Sequence, residues 1–244
     1  YEPNTLKERE INLTSNETFS SFSIAQFSDT HFGFGYTLED FEKVIESINS
    51  KNVDYVFFTG DLFDNFENFE GDVSEISYAL SRINATKGKY AVYGNHDYGG
   101  GAENYYVDIM KNGGFTVLKN TAVYFPEDNL RIAGVDDFLI GYGDINVISN
   151  LYGDCYDLVL CHEPDVFDQF DKTILNLMLS GHSHGGQINI PFVKHKFLTN
   201  LGSKYTKGLY TQENSNIYVT SGLGTTKIDA RLLAPPEVAF ININ

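Results

Sequence analysis

Five short apolar segments of this chain each run directly into a cluster of polar residues, and this repeated arrangement constrains the fold more than any other feature. The segments are residues 22–27, 53–59, 89–93, 157–161 and 174–180. Runs of this length that are rich in Val, Ile, Phe and Tyr are typical of buried β-strands. The sequence therefore predicts five buried strands, each with polar residues at its carboxyl end.

Helical stretches lie between the first of these strands. Residues 37–50 repeat apolar side chains near the 3.6-residue period, with Thr37 as the N-cap, and residues 73–84 and 104–112 follow the same pattern. This alternation predicts parallel crossovers and an α/β fold. Further strand signals indicate a second, more antiparallel sheet, at residues 116–123, 130–135, 187–190, 217–221 and 238–243. Because no repeat or linker interrupts the pattern, we predict a single domain over residues 1–244.

The charge of the chain excludes some classes of function. Lys and Arg number 17 and Asp and Glu number 33, so the formal net charge is −16. This excludes a general nucleic-acid-binding protein and a basic surface that docks on anionic lipid, because both need an excess of positive charge. No apolar run is long enough for a transmembrane helix within the sequence. Cys155 and Cys161 lie at opposite ends of one predicted strand, too far apart for a disulfide, so free thiols are predicted.

The polar clusters at the strand ends hold the candidate functional residues. In open α/β sheets, ligands bind at the carboxyl ends of the strands, so these five ends can converge on one site. In an extended chain, residues two apart project to the same side, which applies to Asp29 with His31 and to His182 with His184. The candidate metal ligands are Asp29, His31, Asp61, Asn95, His162, His182 and His184.

The chemistry of this set indicates a pair of divalent ions. Carboxylate, imidazole and amide oxygen together suit Mn, Fe or Zn. Seven such groups are too many for one tetrahedral ion and fit two ions that share a bridge, with Asp61 as the bridging carboxylate.

The motifs that carry these residues resemble, in their order, the signature of the calcineurin-like metallophosphoesterases. They are Asp-x-His from Asp29, Gly-Asp-x-x-Asp from Gly60, Gly-Asn-His-Asp from Gly94, the lone His162, and Gly-His-x-His from Gly181. The segment Gly-His-Ser-His-Gly-Gly-Gln-Ile at residues 181–188 is similar to a bacterial branch whose members are commonly membrane-anchored or exported. The resemblance implies a four-layer α/β fold in which two stacked mixed β-sheets, forming a β-sandwich, are flanked by α-helices.

The same resemblance implies a role for each residue. The ligands implied for one ion are Asp29, His31, Asp61 and His184, and those for the other are Asp61, Asn95, His162 and His182. His96 is implied as the catalytic imidazole that contacts the phosphate and protonates or stabilises the leaving oxygen. Asp97 is implied to orient His96, and Asp64 to support the site without binding metal.

These residues lead us to expect a metal-dependent phosphoric ester hydrolase. A hydroxide bridging two ions would attack the phosphorus of a phosphodiester, pyrophosphate or phosphomonoester, with Mn²⁺ as the expected metal and Fe or Zn as alternatives. The resemblance favours a lipid or cell-envelope substrate, and a cyclic nucleotide or nucleotide is the alternative. A metal-binding scaffold without turnover is a hypothesis from another class. The presence of His96, which catalysis needs and metal binding does not, counts against it.

Partners and location follow from the resemblance alone. It implies a small-molecule or lipid-linked substrate, membrane association through a segment outside this sequence, and a location outside the cytoplasm, with the cytoplasm as the alternative. Neither nucleic acid nor an obligate protein partner is expected. Asp136 and Asp137 stay unassigned, and His195 is predicted to lie on the surface. The lysines that either attract an anionic substrate or form a solvated loop are Lys194, Lys196, Lys204 and Lys207.

Overall fold

The computed structural model of the chain describes residues 5–14, 20–148, 155–189 and 198–244, so Lys194, His195 and Lys196 lie outside the described residues. The described α-helices are α1 (Leu38–Lys51), α2 (Val73–Ser81), α3 (Asn95–Gly99) and α4 (Tyr106–Asn112). The described strands are β1 (Lys7–Leu13), β2 (Phe22–Phe27), β3 (Tyr55–Phe58), β4 (Gly88–Ala91), β5 (Thr116–Val117), β6 (Thr121–Phe125), β7 (Leu130–Gly134), β8 (Tyr156–Leu160), β9 (Leu177–Ser180), β10 (Gly208–Gln212), β11 (Ser215–Val219) and β12 (Glu237–Ile243). Short 3₁₀ helices span Phe66–Asn68, Ile145–Val147, Pro164–Gln169 and His184–Gly186.

The described strands form two mixed sheets of six. In the first sheet the order is β1-β12-β2-β3-β4-β5, and every neighbouring pair is parallel except β12 with β2. In the second the order is β10-β11-β9-β8-β7-β6, with parallel pairs in the middle and an antiparallel pair at each edge. The predicted α/β fold with two stacked mixed sheets is confirmed. The second sheet is only slightly richer in antiparallel pairs than the first.

The apolar runs are continuous because each central strand is covered on both faces. In β3, Tyr55 and Phe57 point into the core between the two sheets, whereas Val56 and Phe58 point toward the helices. All four side chains are fully buried. A strand inside a layered fold needs apolar side chains on both faces, and the side chains of β3 provide them because they alternate in direction.

Helix α1 shows how the sequence builds the helical layer. Thr37 is its N-cap, and the Thr37 hydroxyl accepts a hydrogen bond from the Asp40 amide at 3.2 Å, as predicted. Four apolar residues of the helix pack against the first sheet with α2 and α4: Phe41, Val44, Ile45 and Ile48. The outer face of the second sheet is covered differently, by loops and by the 3₁₀ helix Pro164–Gln169, which supplies Val166 and Phe167. Among the described residues, no helix has both the length and the apolar character of a membrane span.

Several predicted elements differ in the structure. Strand β12, predicted for the second sheet, lies in the first, where it separates β1 from β2. Residues 187–189 form no strand, and Ile188 makes only an isolated bridge to Leu232. Strands β1 and β10 are absent from the predictions because both are edge strands with mixed polar and apolar residues, which the apolar-run criterion does not detect. Cys155 and Cys161 are free thiols, as predicted.

Candidate metal centre

The loops after β2, β3, β4, β8 and β9 meet at one edge of the sandwich and bring the predicted ligands together. Ligand atoms of Asp29, His31 and His184 lie within 4.8 Å of one another. Ligand atoms of Asp61, His162 and His182 form a second group within the same distance. Both groups are buried. Residues from both sheets therefore build two adjacent sites, each with carboxylate and imidazole ligands.

The carboxylate of Asp61 joins the two groups. Its Oδ2 atom lies 3.1 Å from Nε2 of His162 and 3.6 Å from Nε2 of His31. The Nε2 atoms of His31 and His184 are 3.1 Å apart, and Nε2 of His184 is 3.5 Å from Oδ1 of Asp29. This places Asp61 between the groups, where a bridging carboxylate would lie.

The side chains of the predicted ligands are directed into the site by backbone turns and not by an extended chain. Five predicted ligands have positive φ angles between 46° and 68°: Asp29, His31, Asp61, His182 and His184. Few residues other than glycine adopt this left-handed conformation, and such strain concentrates at functional sites. The prediction that Asp29 and His31 converge because they are two apart in an extended chain is therefore wrong in its reason. Their convergence arises from tight turns directly after the strands.

Two glycines let the loops approach each other. Gly60 has a φ of 94°, and a Cβ atom there would lie 2.6 Å from the Gly94 amide nitrogen and 2.8 Å from Nδ1 of His162. No side chain fits at such distances, so the Gly-Asp and Gly-Asn motifs need glycine for packing. These glycines bring Asp61 and Asn95 close together.

The histidine rings are oriented by main-chain carbonyls on their outer side. Nδ1 of His162 donates to the Thr59 carbonyl at 2.6 Å, and Nε2 of His182 donates to the Asn200 carbonyl at 2.7 Å. The other nitrogen of each ring faces the site, which is how proteins orient metal-binding histidines. Burial, followed by the charge of His162, lowers the pKa of His182 to about 4, so its ring is neutral and able to bind metal.

Nε2 of His162 lies 3.1 Å from Oδ2 of Asp61, whereas the buried Oδ1 of Asn95 has no hydrogen-bond partner. Buried polar atoms without a partner are rare in folded proteins because their desolvation is not compensated. Burial opposes the ionisation of Asp61, yet the charges of His162 and His96 hold its pKa well below the usual range. An unpartnered amide oxygen next to an ionised carboxylate fits a divalent cation, and the donor set of this site agrees with that fit.

His96 lies beside these groups and is more accessible. Its side chain is 28% exposed, and its ring meets the His31 ring edge to face with centroids 4.6 Å apart. Nδ1 of His96 donates to the main-chain carbonyl of Asp64 at 2.7 Å, so Nε2 is the nitrogen left for a substrate. Burial lowers the pKa of this ring, but the charges of Asp61 and Asp64 outweigh it and raise the pKa above the usual value.

Asp97 differs from its predicted role. The resemblance implies that Asp97 orients His96, but it is Asp64 that contacts the His96 ring. The buried Asp97 carboxylate instead accepts hydrogen bonds from the amides of Asp61 at 3.0 Å, Leu62 at 2.9 Å and Gly94 at 2.9 Å. Burial and the charge of Asp61 raise its pKa to about 7. Asp97 therefore fixes the loop after β3 against the loop after β4.

We expect Asp97→Asn to unfold the protein more easily, because the amide group of asparagine turns a donor toward main-chain donors. The free energy of unfolding should fall by about 3 kcal/mol, because a buried main-chain donor loses its acceptor and faces another donor. Urea denaturation of the metal-free protein measures this. Asp108→Asn, on an exposed position of α4, is the matched control and should change the free energy by less than about 0.5 kcal/mol. Equal stability of the two variants would contradict the role assigned to Asp97.

Other acidic residues support the site from outside the ligand set. Oδ1 of Asp64 lies 3.2 Å from Nδ1 of His31, on the opposite side of that ring from Asp61, which agrees with the support predicted for it. Asp137, unassigned in the sequence, accepts hydrogen bonds from the amides of Leu139, Ile140 and Gly141 at 2.6–3.1 Å. Asp137 thus shapes the loop after β7.

A cleft of about 310 Å³ opens onto the site. His96, His182 and His184 line it together with Asp61 and Asn95. Sequence analysis did not identify its remaining lining residues, which are Leu139, Leu198, Thr199, Asn200, Thr226 and Lys227. They lie in loops without an apolar run or a ligand spacing, so no local signal marks them.

Comparison with known proteins agrees with this geometry. The sequence profile of the calcineurin-like phosphoesterases matches residues 22–186. The metallophosphoesterase YkuE of Bacillus subtilis is 37% identical over 99% of this chain and 87% of its own length, and the phosphodiesterase YaeI of Escherichia coli is 30% identical over 91% and 82%. A solved structure of 12% identity aligns with a TM-score of 0.51 over 82% of this chain and 90% of its own, which supports the fold. The chain belongs to the calcineurin-like phosphoesterase family.

Proposed function

We propose that this protein hydrolyses phosphate esters with two divalent metal ions held by the seven predicted ligands. Family membership implies a phosphoesterase hydrolase that uses divalent metals. The observation that supports the two-ion centre best is the position of Asp61, whose carboxylate contacts His31 of one ligand group and His162 of the other. A bridging ligand of this kind is the arrangement that places two metal ions next to each other.

In this proposal each ion has four ligands from the chain. One ion is held by Asp29, His31, Asp61 and His184, and the other by Asp61, Asn95, His162 and His182. The ions would supply Lewis acidity toward the phosphoryl oxygens and lower the pKa of a water molecule. The unpartnered Oδ1 of Asn95 and the buried Nε2 of His162, which faces the Asp61 carboxylate, support the assignment of both residues as ligands.

His96 is proposed as the residue that acts on the leaving group. It lines the cleft without belonging to the proposed ligand set, and its Nδ1 is held by the Asp64 carbonyl. A proton on Nε2 can then pass to the leaving oxygen or stabilise its negative charge. No residue with this chemistry would be needed at the cleft of a metal-binding scaffold without turnover.

We propose Mn²⁺ as the metal, because the ligands are carboxylate, imidazole and amide oxygen with no thiolate among them. Soft thiolate ligands favour Zn or Cu(I), whereas a set of oxygens and imidazoles accepts Mn or Fe. The nearest cysteine in sequence, Cys161, directs its sulfur toward Glu163 and is absent from both ligand groups.

We propose a phosphodiester with an apolar group, such as a lipid or cell-envelope precursor, as the substrate. The name of the relative YaeI supports a diester. Leu139, which is 38% exposed, and Leu198 line the cleft, and Ile140 packs beside Gly99 at the end of the helix that carries His96. These side chains offer apolar contact next to the site. An extracytoplasmic location stays a prediction of the sequence resemblance.

We expect the Mn²⁺-loaded protein to hydrolyse bis(p-nitrophenyl) phosphate faster than p-nitrophenyl phosphate. Activity should disappear after chelation and return when Mn²⁺ is added back. Release of p-nitrophenol with each ester, before chelation, after it and after readdition, measures both points.

The design separates the hypotheses about function. A preference for the monoester would indicate a phosphatase and contradict the diester. Cleavage of 2′,3′- or 3′,5′-cyclic nucleotides in preference to diesters of lipid headgroups would indicate the nucleotide alternative. Hydrolysis of neither ester by protein shown to contain two metal equivalents would favour the scaffold.

A further inference from the structure

Lys227 is the only lysine or arginine among the described residues that line the cleft. Its side chain is exposed and makes no hydrogen bond or ion pair with another described residue. The lysines singled out in the sequence are placed differently: Lys204 pairs with Asp168 at 2.6 Å, and Lys207 donates to the Leu233 carbonyl at 2.9 Å. Among the residues that the structure describes, the free cation of the cleft is therefore one that no sequence motif marks.

The loop that carries Lys227 is held by the side chain of Gln187. Nε2 of Gln187 donates to the main-chain carbonyls of Thr226 at 3.0 Å and Ile228 at 2.8 Å, and its Oε1 accepts from the Thr226 amide at 3.1 Å. Gln187 is only 2% exposed. One buried amide thus fixes the backbone on both sides of Lys227.

The backbone of Lys227 is itself unusual. Its φ is 62°, in the left-handed region that residues other than glycine rarely adopt. Such a conformation persists only when surrounding contacts determine it, and here the bonds from Gln187 do so. Thr226 adds a contact from its hydroxyl to the Asp64 carboxylate at 3.4 Å, which ties the loop to the metal centre.

The net negative charge of the protein makes a cation at this position relevant to the binding of an anionic substrate. The chain carries a formal net charge of −16, and the metal centre itself contains Asp29 and Asp61. The two proposed ions would offset the charge of the ligands themselves, and a protein cation at the cleft would further reduce the repulsion of an anionic substrate by the rest of the acidic chain. An ammonium group that is free of carboxylate partners can bind an anionic oxygen, since its hydrogen-bond donors are not already used.

We propose that Lys227 is a substrate-binding residue that contacts an anionic phosphoryl oxygen of the substrate, and that Gln187 positions it. This inference rests on the proposed phosphoesterase function and adds a protein cation to the site. It also gives the Gly-Gly-Gln segment after His184 a role, because the Gln187 side chain connects that segment to the binding loop.

The test uses inorganic phosphate as the probe and Lys111 as the matched control. Lys111 is exposed on α4, makes no ion pair with a described residue and lines no part of the cleft, so Lys111→Ala removes the same charge elsewhere. We expect Lys227→Ala to weaken phosphate binding to the Mn²⁺-loaded protein about tenfold by calorimetry, since a charge-assisted hydrogen bond is lost. Lys227→Arg should restore most of the affinity, and Lys111→Ala should bind like the unmodified protein.

Kinetics provide a second readout with the diester. Lys227→Ala should raise KM by about the same factor with a smaller change in kcat, because the contact is already made in the bound substrate. Unchanged phosphate affinity in Lys227→Ala, or an equal loss in Lys111→Ala, would overturn the proposal. If the protein hydrolyses no ester, the function fails, but phosphate binding still tests Lys227.

A double-variant comparison tests Gln187. Gln187→Leu should lose about the same affinity as Lys227→Ala, and the double variant should lose no more than Lys227→Ala alone, because both act through one contact. Metal content must match that of the unmodified protein in each case. Additive losses would show that Gln187 acts independently of Lys227 and would overturn its positioning role.

Discussion

Asp61→Asn is expected to lower kcat/KM for the diester by about a thousandfold or more, the largest effect of any single substitution at the site. The Oδ2 atom of Asp61 faces both His31 and His162, and asparagine offers a neutral amide there in place of a bridging carboxylate. Metal content measured by elemental analysis should fall together with activity, because both ions depend on this ligand.

The Asp61→Asn substitution preserves the hydrogen bond that the Asp61 side chain makes with the main chain. Oδ1 of Asp61 accepts a hydrogen bond from the His96 amide at 2.8 Å, and the carbonyl oxygen of asparagine can still accept it. Because the charges of His162 and His96 favour the ionised form of Asp61, the metal-free variant should melt below the unmodified metal-free protein, but it should still unfold in one cooperative transition. Normal metal content with full activity would refute the bridging role.

Asp64→Asn is a comparison variant for which we expect a smaller loss of activity than for Asp61→Asn. Its carboxylate contacts His31 on the ring nitrogen that faces away from Asp61, so it orients a ligand without belonging to the proposed ligand set. Residues in this position typically affect activity or metal affinity by about 10–100-fold. Activity should then fall more in Asp61→Asn than in Asp64→Asn. The reverse order would contradict the roles assigned to the two carboxylates.

The strands that carry the site were predictable because burial on both faces leaves a continuous apolar run. Strand β2 has the predicted bounds, and β3, β8 and β9 lie within three residues of theirs. The position of β12 was not predictable, because its pairing with β1 and β2 depends on contacts far apart in sequence. Apolar patterning identifies a buried strand but not its neighbours.

Within the site, residue type and order were informative, whereas geometry and supporting contacts were not. The convergence of Asp29 and His31 depends on left-handed turns that no spacing rule contains. The role that Asp64 takes in place of Asp97 depends on the turn after β3, which places the carbonyl and the carboxylate of Asp64 beside the His96 ring. Lys227 lies at the cleft on a loop whose backbone is hydrogen-bonded to Gln187, forty residues earlier. Each of these is a tertiary contact, and a single sequence does not encode it in a local pattern.

His96→Ala and His96→Asn are expected to show losses that depend on the leaving group. If Nε2 protonates or stabilises the leaving oxygen, kcat should fall about tenfold for a diester that releases p-nitrophenolate and about a thousandfold for one that releases phenolate, which needs more help to leave. Steady-state kinetics on a series of aryl diesters, with metal content confirmed, measure this dependence. The two variants separate the nitrogens, because the amide of asparagine can still donate to the Asp64 carbonyl in place of Nδ1, while neither variant has an Nε2.

The pattern across the series identifies what His96 does. A loss that grows with the pKa of the leaving phenol assigns the proton to the leaving oxygen, because a poorer leaving group carries more negative charge in the transition state. A uniform loss across the series would instead mean that the ring stabilises the non-bridging phosphoryl oxygens, whose charge does not depend on the leaving group. Recovery of activity in His96→Asn but not in His96→Ala would assign the effect to the hydrogen bond with Asp64 and remove His96 from the chemical step. The first two patterns both agree with a ring whose Nδ1 is fixed by Asp64 and whose Nε2 faces the substrate, and only the first agrees with the proposed action of His96 on the leaving group.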